Sequence, residues 1–84
     1  MTQFGQYLKE CRSVLDLTQY EIADKLGLER STYTFYETGK TMPSIVVLLK
    51  LAKIYNVPCS EFLKVINKQF DLNAPVLYDD LYKY

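Results

Sequence analysis

Residues 18–39, TQYEIADKLGLERSTYTFYETG, constrain the fold of this chain more than any other stretch. Thr18 and Glu21 have the S/T-x-x-E spacing of a capping box, in which the threonine oxygen accepts from the Glu21 backbone N–H and the Glu21 carboxylate reaches back to the N–H of Thr18. Leu17 and Ile22 stand where a hydrophobic staple belongs. Ile22, Ala23 and Leu26 follow at helical spacing on one face, with Asp24 and Lys25 off it. Gly27 ends this helix at a position that favours a left-handed backbone. Only Leu28 and Glu29 separate it from a second helical pattern, over 30–37, with Tyr33 and Tyr36 inward and Gly39 as the next stop. Helices this short do not persist alone in water, where fewer than about 12–15 residues are marginal. The pair must therefore pack on neighbours, and a tight turn between two such helices presents the second one outward.

The neighbours follow from the same kind of spacing. Thr2 is expected to cap a first helix whose apolar stripe is Phe4, Leu8, Cys11 and Leu15, at i, i+4, i+7 and i+11. Lys9, Glu10 and Arg12 lie off that stripe, and Asp16 stands where the chain must turn. Pro43 disfavours helix at Met42, and Ser44 is a good N-cap. A fourth helix is expected over 44–55, with Ile45, Leu48, Leu49, Ala52 and Tyr55 as its core face. Val46 and Val47 either widen that face or belong to a partner surface. A fifth begins near 58–60 and carries Phe62, Leu63 and Ile66 inward. No strand-like alternation occurs, so the chain reads as all-α, a compact five-helix domain over 1–67. The segment 68–84 is set apart by its aromatic tail. There Asn73 and Pro75 suit the start of a short C-terminal helix. Its apolar residues either fold back on the domain or form a dimer contact, since interface cores favour tyrosine.

At 84 residues the chain has room for one domain. Its ten Lys and Arg balance ten Asp and Glu. Residues 1–42 hold five basic and six acidic side chains, and residues 43–84 hold five and four. A nucleic-acid binder usually carries a basic excess, so here any such attraction must come from local placement. Histidine is absent. Cys11 and Cys59 lack metal-ligand spacing and are expected as buried free thiols in a reducing cytoplasm, with no metal or other cofactor. No apolar run approaches the roughly 18 residues of a membrane span, and no signal peptide is read. Without histidine, a facing carboxylate pair or a glycine-rich phosphate loop, an enzyme is not expected.

The stretch LTQYEIADKLGLERSTYTFYETGKTMPS resembles the lambda repressor-like, or XRE-type, helix-turn-helix family of phage repressors and bacterial regulators. Leu17-Thr18-Gln19, Leu26-Gly27, Tyr36-Glu37, Gly39-Lys40, Pro43-Ser44 and Leu51-Ala52 fall in that family's order and spacing. The resemblance implies that the second helix crosses the phosphate backbone of double-stranded DNA while the third enters the major groove. It gives Gln19 a phosphate contact at a helix N-terminus. It gives Arg30, Ser31 and Phe35 the base edges, with Glu29 and Thr34 flanking them. Lys40 and Ser44 match further phosphate contacts. Arg12 and Glu37 match a partly buried pair tying helix 1 to helix 3. Phe35 stands where arginine or glutamine is common, Glu29 where a small polar cap is common, and Thr41 and Met42 where basic residues are frequent. Phe35 offers only apolar contact, for example to a thymine methyl, and is expected to be exposed because Tyr33 and Tyr36 take the inward face. The implied function is a sequence-specific DNA-binding transcriptional regulator, a repressor, working in the cytoplasm as a homodimer. The alternative is a protein-interaction module of the same fold with weak DNA affinity, such as an antitoxin-like partner.

Overall fold

The computed structural model describes residues 2–70. The expected tail helix and the tail's role in pairing fall in 71–84, outside the described residues. Five α-helices follow in order: α1 Gln3–Val14, α2 Gln19–Leu26, α3 Arg30–Thr38, α4 Ile45–Tyr55 and α5 Cys59–Phe70. No strand occurs among the described residues. The all-α, five-helix expectation is met. α3 packs against α1 and α2, α5 packs against α1 and α4, and α2 touches α4.

The helix ends are set locally. Thr2 Oγ1 accepts from Gly5 N at 3.0 Å and starts α1. The Thr18–Glu21 capping box is formed in both directions and starts α2. Ser44 Oγ accepts from Val47 N at 3.2 Å and starts α4. Three helices stop in the same way. After α1 the N–H of Leu17 reaches Arg12 O and that of Asp16 reaches Ser13 O; after α2 Leu28 reaches Ala23 and Gly27 reaches Asp24; after α4 Val57 reaches Ala52 and Asn56 reaches Lys53. This paired closure is the Schellman motif, which places one residue in the left-handed region. Asp16, Gly27 and Asn56 take that place, at φ 54°, 70° and 54°. Aspartate and asparagine accept it because their short polar side chains bond locally.

The core is Phe4, Leu8, Ile22, Ala23, Leu26, Tyr33, Tyr36, Leu51, Ala52, Tyr55 and Phe62. Phe62 meets Phe4 and Tyr7 edge-on, with centroids 5.8 and 5.7 Å apart. Gly5 is buried where α1 crosses α3, and a Cβ there would run into the Glu37 carbonyl. Three expected faces need correction. On α4, Ile45 and Leu49 are exposed, and Leu51 takes the central core position with Leu48 half-buried beside it. A helix this rich in apolar residues fits two stripes about 100° apart equally well, and only its partners choose between them. On α5, Leu63 is exposed while Phe62 is buried and Ile66 is half-buried. Leu15 ends outside α1 as its C-cap, largely exposed. The cysteines are free, as expected, but not buried: Cys11 is half-buried and Cys59 exposed. Cys59 and Ser60 form the exposed first turn of α5, and full burial begins at Phe62.

Candidate nucleic-acid interface

α3 is divided lengthwise. Its inward row, Tyr33, Tyr36 and Glu37, is buried. Tyr33 OH lies 2.5 Å from Tyr55 OH and joins α3 to α4. Burial pushes both phenols well above the ordinary tyrosine range, so both stay neutral across any physiological pH. The outward row begins with Arg30 and Ser31, both exposed, and continues with Thr34 and Phe35, both half-buried. Glu29 is the exposed N-cap of α3 and makes no side-chain capping bond.

Phe35 is half-buried rather than exposed because Lys40 lies over it, with Nζ 4.4 Å from the ring centroid. The turn after α3 brings Lys40 back: the N–H groups of both Gly39 and Thr41 bond to Phe35 O. The contact is a cation–π pair. It holds the ammonium beside the outward row of α3. Ser44 accepts from Val47, and its hydroxyl proton remains available for donation.

Gln19, Thr34, Glu37 and Arg12 form one chain of hydrogen bonds. Thr34 Oγ1 donates to Gln19 Oε1 at 2.9 Å, and Gln19 Nε2 donates to Glu37 Oε1 at 3.0 Å. Arg12 donates through Nε to Glu37 Oε2 at 2.7 Å and through Nη2 to Oε1 at 3.1 Å. Its Nη1 donates to Leu17 O at 2.9 Å, which ties down the α1–α2 turn. Burial pushes the Glu37 carboxyl up, but the hydrogen bonds from Arg12 and Gln19 outweigh that and hold it below the usual carboxylate range. The hydrogen bonds that Arg12 donates to Glu37 raise its guanidinium further, against the opposing effect of burial.

The structure thus joins Gln19 to Thr34 and Lys40 to Phe35, and leaves Arg30 and Ser31 exposed, without a side-chain hydrogen bond among the described residues. Two features lay outside the sequence reading. Spacing marks Tyr55 as a core aromatic and carries no signal of its bond to Tyr33. Tyr20 is 70% exposed and lines an open cleft at the α2–α3 turn with Asp24, Glu29 and Arg30. Its signal was legible: an aromatic off the apolar stripe, next to Gln19, in the first turn of α2.

Residues 8–62 match the family described as Helix-turn-helix, well over half the chain. The chain is a member of the XRE-type helix-turn-helix family. Among similar family members is the SPbeta prophage-derived uncharacterized HTH-type transcriptional regulator YonR of Bacillus subtilis. It is 41% identical over 70 residues, covering 83% of this chain and 65% of that protein. The cryptic phage CTXphi transcriptional repressor RstR of Vibrio cholerae is 37% identical over 60 residues, or 71% of this chain and 54% of that protein. The chain therefore spans between about half and two thirds of the length of these relatives. The crystal structure of the restriction-modification controller protein C.AhdI from Aeromonas hydrophila superposes with a TM-score of 0.67 at 36% identity, covering 73% of this chain and 92% of that one. The helix-turn-helix unit of this family member is α2, the Gly27 turn and α3, and the matched span also takes in the second half of α1, all of α4 and the start of α5.

Proposed function

We propose that this chain is a sequence-specific DNA-binding transcriptional regulator, acting in the cytoplasm as a repressor and as a homodimer, with α3 in the major groove. The observation that carries the reading is the division of α3: an inward row locked by Tyr33, Tyr36 and Glu37, and an outward row free to meet a ligand. Arg30 suits guanine, Ser31 either member of a base pair, and the Phe35 edge a thymine methyl. Gln19, Lys40 and Ser44 supply phosphate contacts around that row, with Glu29 and Thr34 at its flanks. Arg12 and Glu37 hold the frame. Repression draws support from the name of the Vibrio cholerae relative, a phage transcriptional repressor. A homodimer is expected because one short helix covers few base pairs, and two half-sites lie about one helical turn apart. The exposed Ile45, Val46 and Leu49 of α4 support a contact between copies, to which the tail beyond the described residues would add.

Selection of bound sites from random duplex DNA tests binding, spacing and pairing together. A two-fold motif with fixed half-site spacing is expected; a selection that enriches nothing removes the reading. A protein-interaction module of the same fold is the second reading, favoured by the zero formal net charge and the apolar surface of α4. Retention on non-specific DNA at low salt separates the two, because a module without DNA affinity washes through.

A further inference from the structure

The Glu37 carboxylate decides which way the Gln19 carboxamide points. The carboxamide has an acidic neighbour, Glu37 Oε1 at 3.0 Å, and a hydroxyl neighbour, Thr34 Oγ1 at 2.9 Å. Turned over, it would set its own oxygen against a buried anion, acceptor against acceptor. Nε2 therefore faces Glu37, and Oε1 faces Thr34 and needs a donor there. The Thr34 hydroxyl is that donor, although its single proton has a second acceptor at equal distance, Arg30 O at 2.9 Å. With both ends of the amide held, one Nε2 proton and one Oε1 lone pair of the half-buried Gln19 have no partner among the described residues.

We infer that Thr34 is a positioning residue for DNA binding: its hydroxyl fixes the Gln19 carboxamide so that the second Nε2 proton is presented to a phosphate oxygen. The inference rests on the reading of Gln19 as a phosphate contact. Thr34 acts through Gln19 and not on the DNA. A free glutamine would have to freeze several rotatable bonds when it meets a phosphate. One already held between α3 and the Arg12–Glu37 pair loses less freedom on binding, which is the general advantage of preorganisation. The chain of bonds also fixes the position of the amide relative to both helices of the motif, since Thr34 and Glu37 stand one turn apart on α3 and Gln19 opens α2.

The test uses the full chain with a short random-sequence duplex at low salt, because a phosphate contact does not depend on sequence. Thr34→Val keeps the shape and removes the donor; Thr34→Ser keeps the donor. In the free protein, the two Gln19 side-chain amide protons give separate NMR signals that each shift toward free glutamine positions in Thr34→Val and stay put in Thr34→Ser. Thr34→Val weakens duplex binding about three- to tenfold, the worth of a neutral hydrogen bond, and Thr34→Ser recovers the loss. In a Gln19→Ala background, Thr34→Val has no further effect. Two results overturn the positioning role itself: an unchanged Gln19 amide signal in Thr34→Val, or an equal loss of affinity with and without Gln19, which makes Thr34 a direct contact. If the amide signals change as expected but Gln19→Ala binds the duplex like wild type, Gln19 is no DNA contact. That result overturns the proposal through the reading it rests on, and leaves the amide geometry standing. Melting curves of each variant separate these outcomes from unfolding.

Discussion

A carboxylate removed from water must find a donor for each oxygen, and Glu37, 1% exposed, finds three from Arg12 and Gln19. Among the described residues no buried side-chain nitrogen or oxygen lacks a partner. The pair ties α1 to α3 beside the point where Gly5 lets the two backbones approach. Removing one partner leaves the other charge buried and alone, at a cost of about 3–5 kcal/mol, whereas replacing both with apolar groups costs less. Glu37→Gln is the sharper test. In either orientation its amide nitrogen faces an Arg12 N–H, donor against donor. The melting temperature should fall by more than about 10 °C for a domain of this size. A wild-type melting temperature would mean that the pair holds nothing together. The pair also sets an acid limit. Because the native carboxyl is held low, its contribution is present above the unfolded value of about 4.3 and is lost as pH falls through the native one. Glu37→Gln should therefore unfold with a shallower dependence on pH in acid than wild type does.

At the scale of elements, α3 was legible and α4 was not. In α3 the tyrosines Tyr33 and Tyr36 stand three apart, and of the other residues only Phe35 is apolar, so one face is clearly favoured for burial. In α4 nearly every residue is apolar, and Ile45–Leu49–Ala52 reads as well as Leu48–Leu51–Tyr55; Tyr33 and Phe62 on neighbouring helices make the choice. The motif's caps and stops were legible because they are local chemistry. The bonds of Gln19 to Thr34 and Glu37 were not, because residues 15 and 18 positions apart meet only once α2 and α3 have packed. Two predictions belong to α3. On its outer face, Arg30→Ala should lose about 1–3 kcal/mol of binding and blur preference at one or two positions. Lys40→Ala should instead weaken all sequences alike, as a phosphate contact does. An Arg30→Ala protein that selects an unchanged motif removes Arg30 from base readout. On its inner face, burial holds Tyr33 and Tyr55 neutral beyond the point where the unfolded chain ionises. Their contribution is complete below about pH 10 and declines as pH rises past it. Denaturant titrations from about pH 9 to 11 should show that decline in wild type and less of it in Tyr55→Phe; equal declines would assign the alkaline loss elsewhere.

The molecule as a whole carries no formal net charge, and this bears on both how it would hold DNA and how many copies must do so. Each cation placed on phosphate releases counterions, and log affinity falls with log salt by about 0.9 per phosphate neutralised. Lys40 on phosphate and Arg30 on a base edge in the groove are the exposed cations at the proposed interface; both displace counterions, so a dimer brings four such charges. Four charges at about 0.9 each give a slope of about −3.6, in the expected range of about −3 to −6, against about −10 for a strongly basic repressor. With so little long-range attraction, one protomer should bind weakly, and pairing becomes the main source of affinity. The exposed row Ile45, Val46 and Leu49, at 65%, 57% and 47%, is the apolar surface proposed above to close a two-fold contact. Leu49→Glu puts a charge in that contact without touching the core, so the variant should melt near the wild-type temperature yet sediment as a monomer. Its residual DNA binding should have a salt slope about half as steep, because one set of phosphates is neutralised instead of two. Deleting residues 75–84 asks whether the tail shares the contact: a shared contact makes this variant monomeric as well. If Leu49→Glu still sediments as a dimer, α4 is not the interface. If it is monomeric with an unchanged slope, the counterions come from a single protomer, and the two-half-site reading fails.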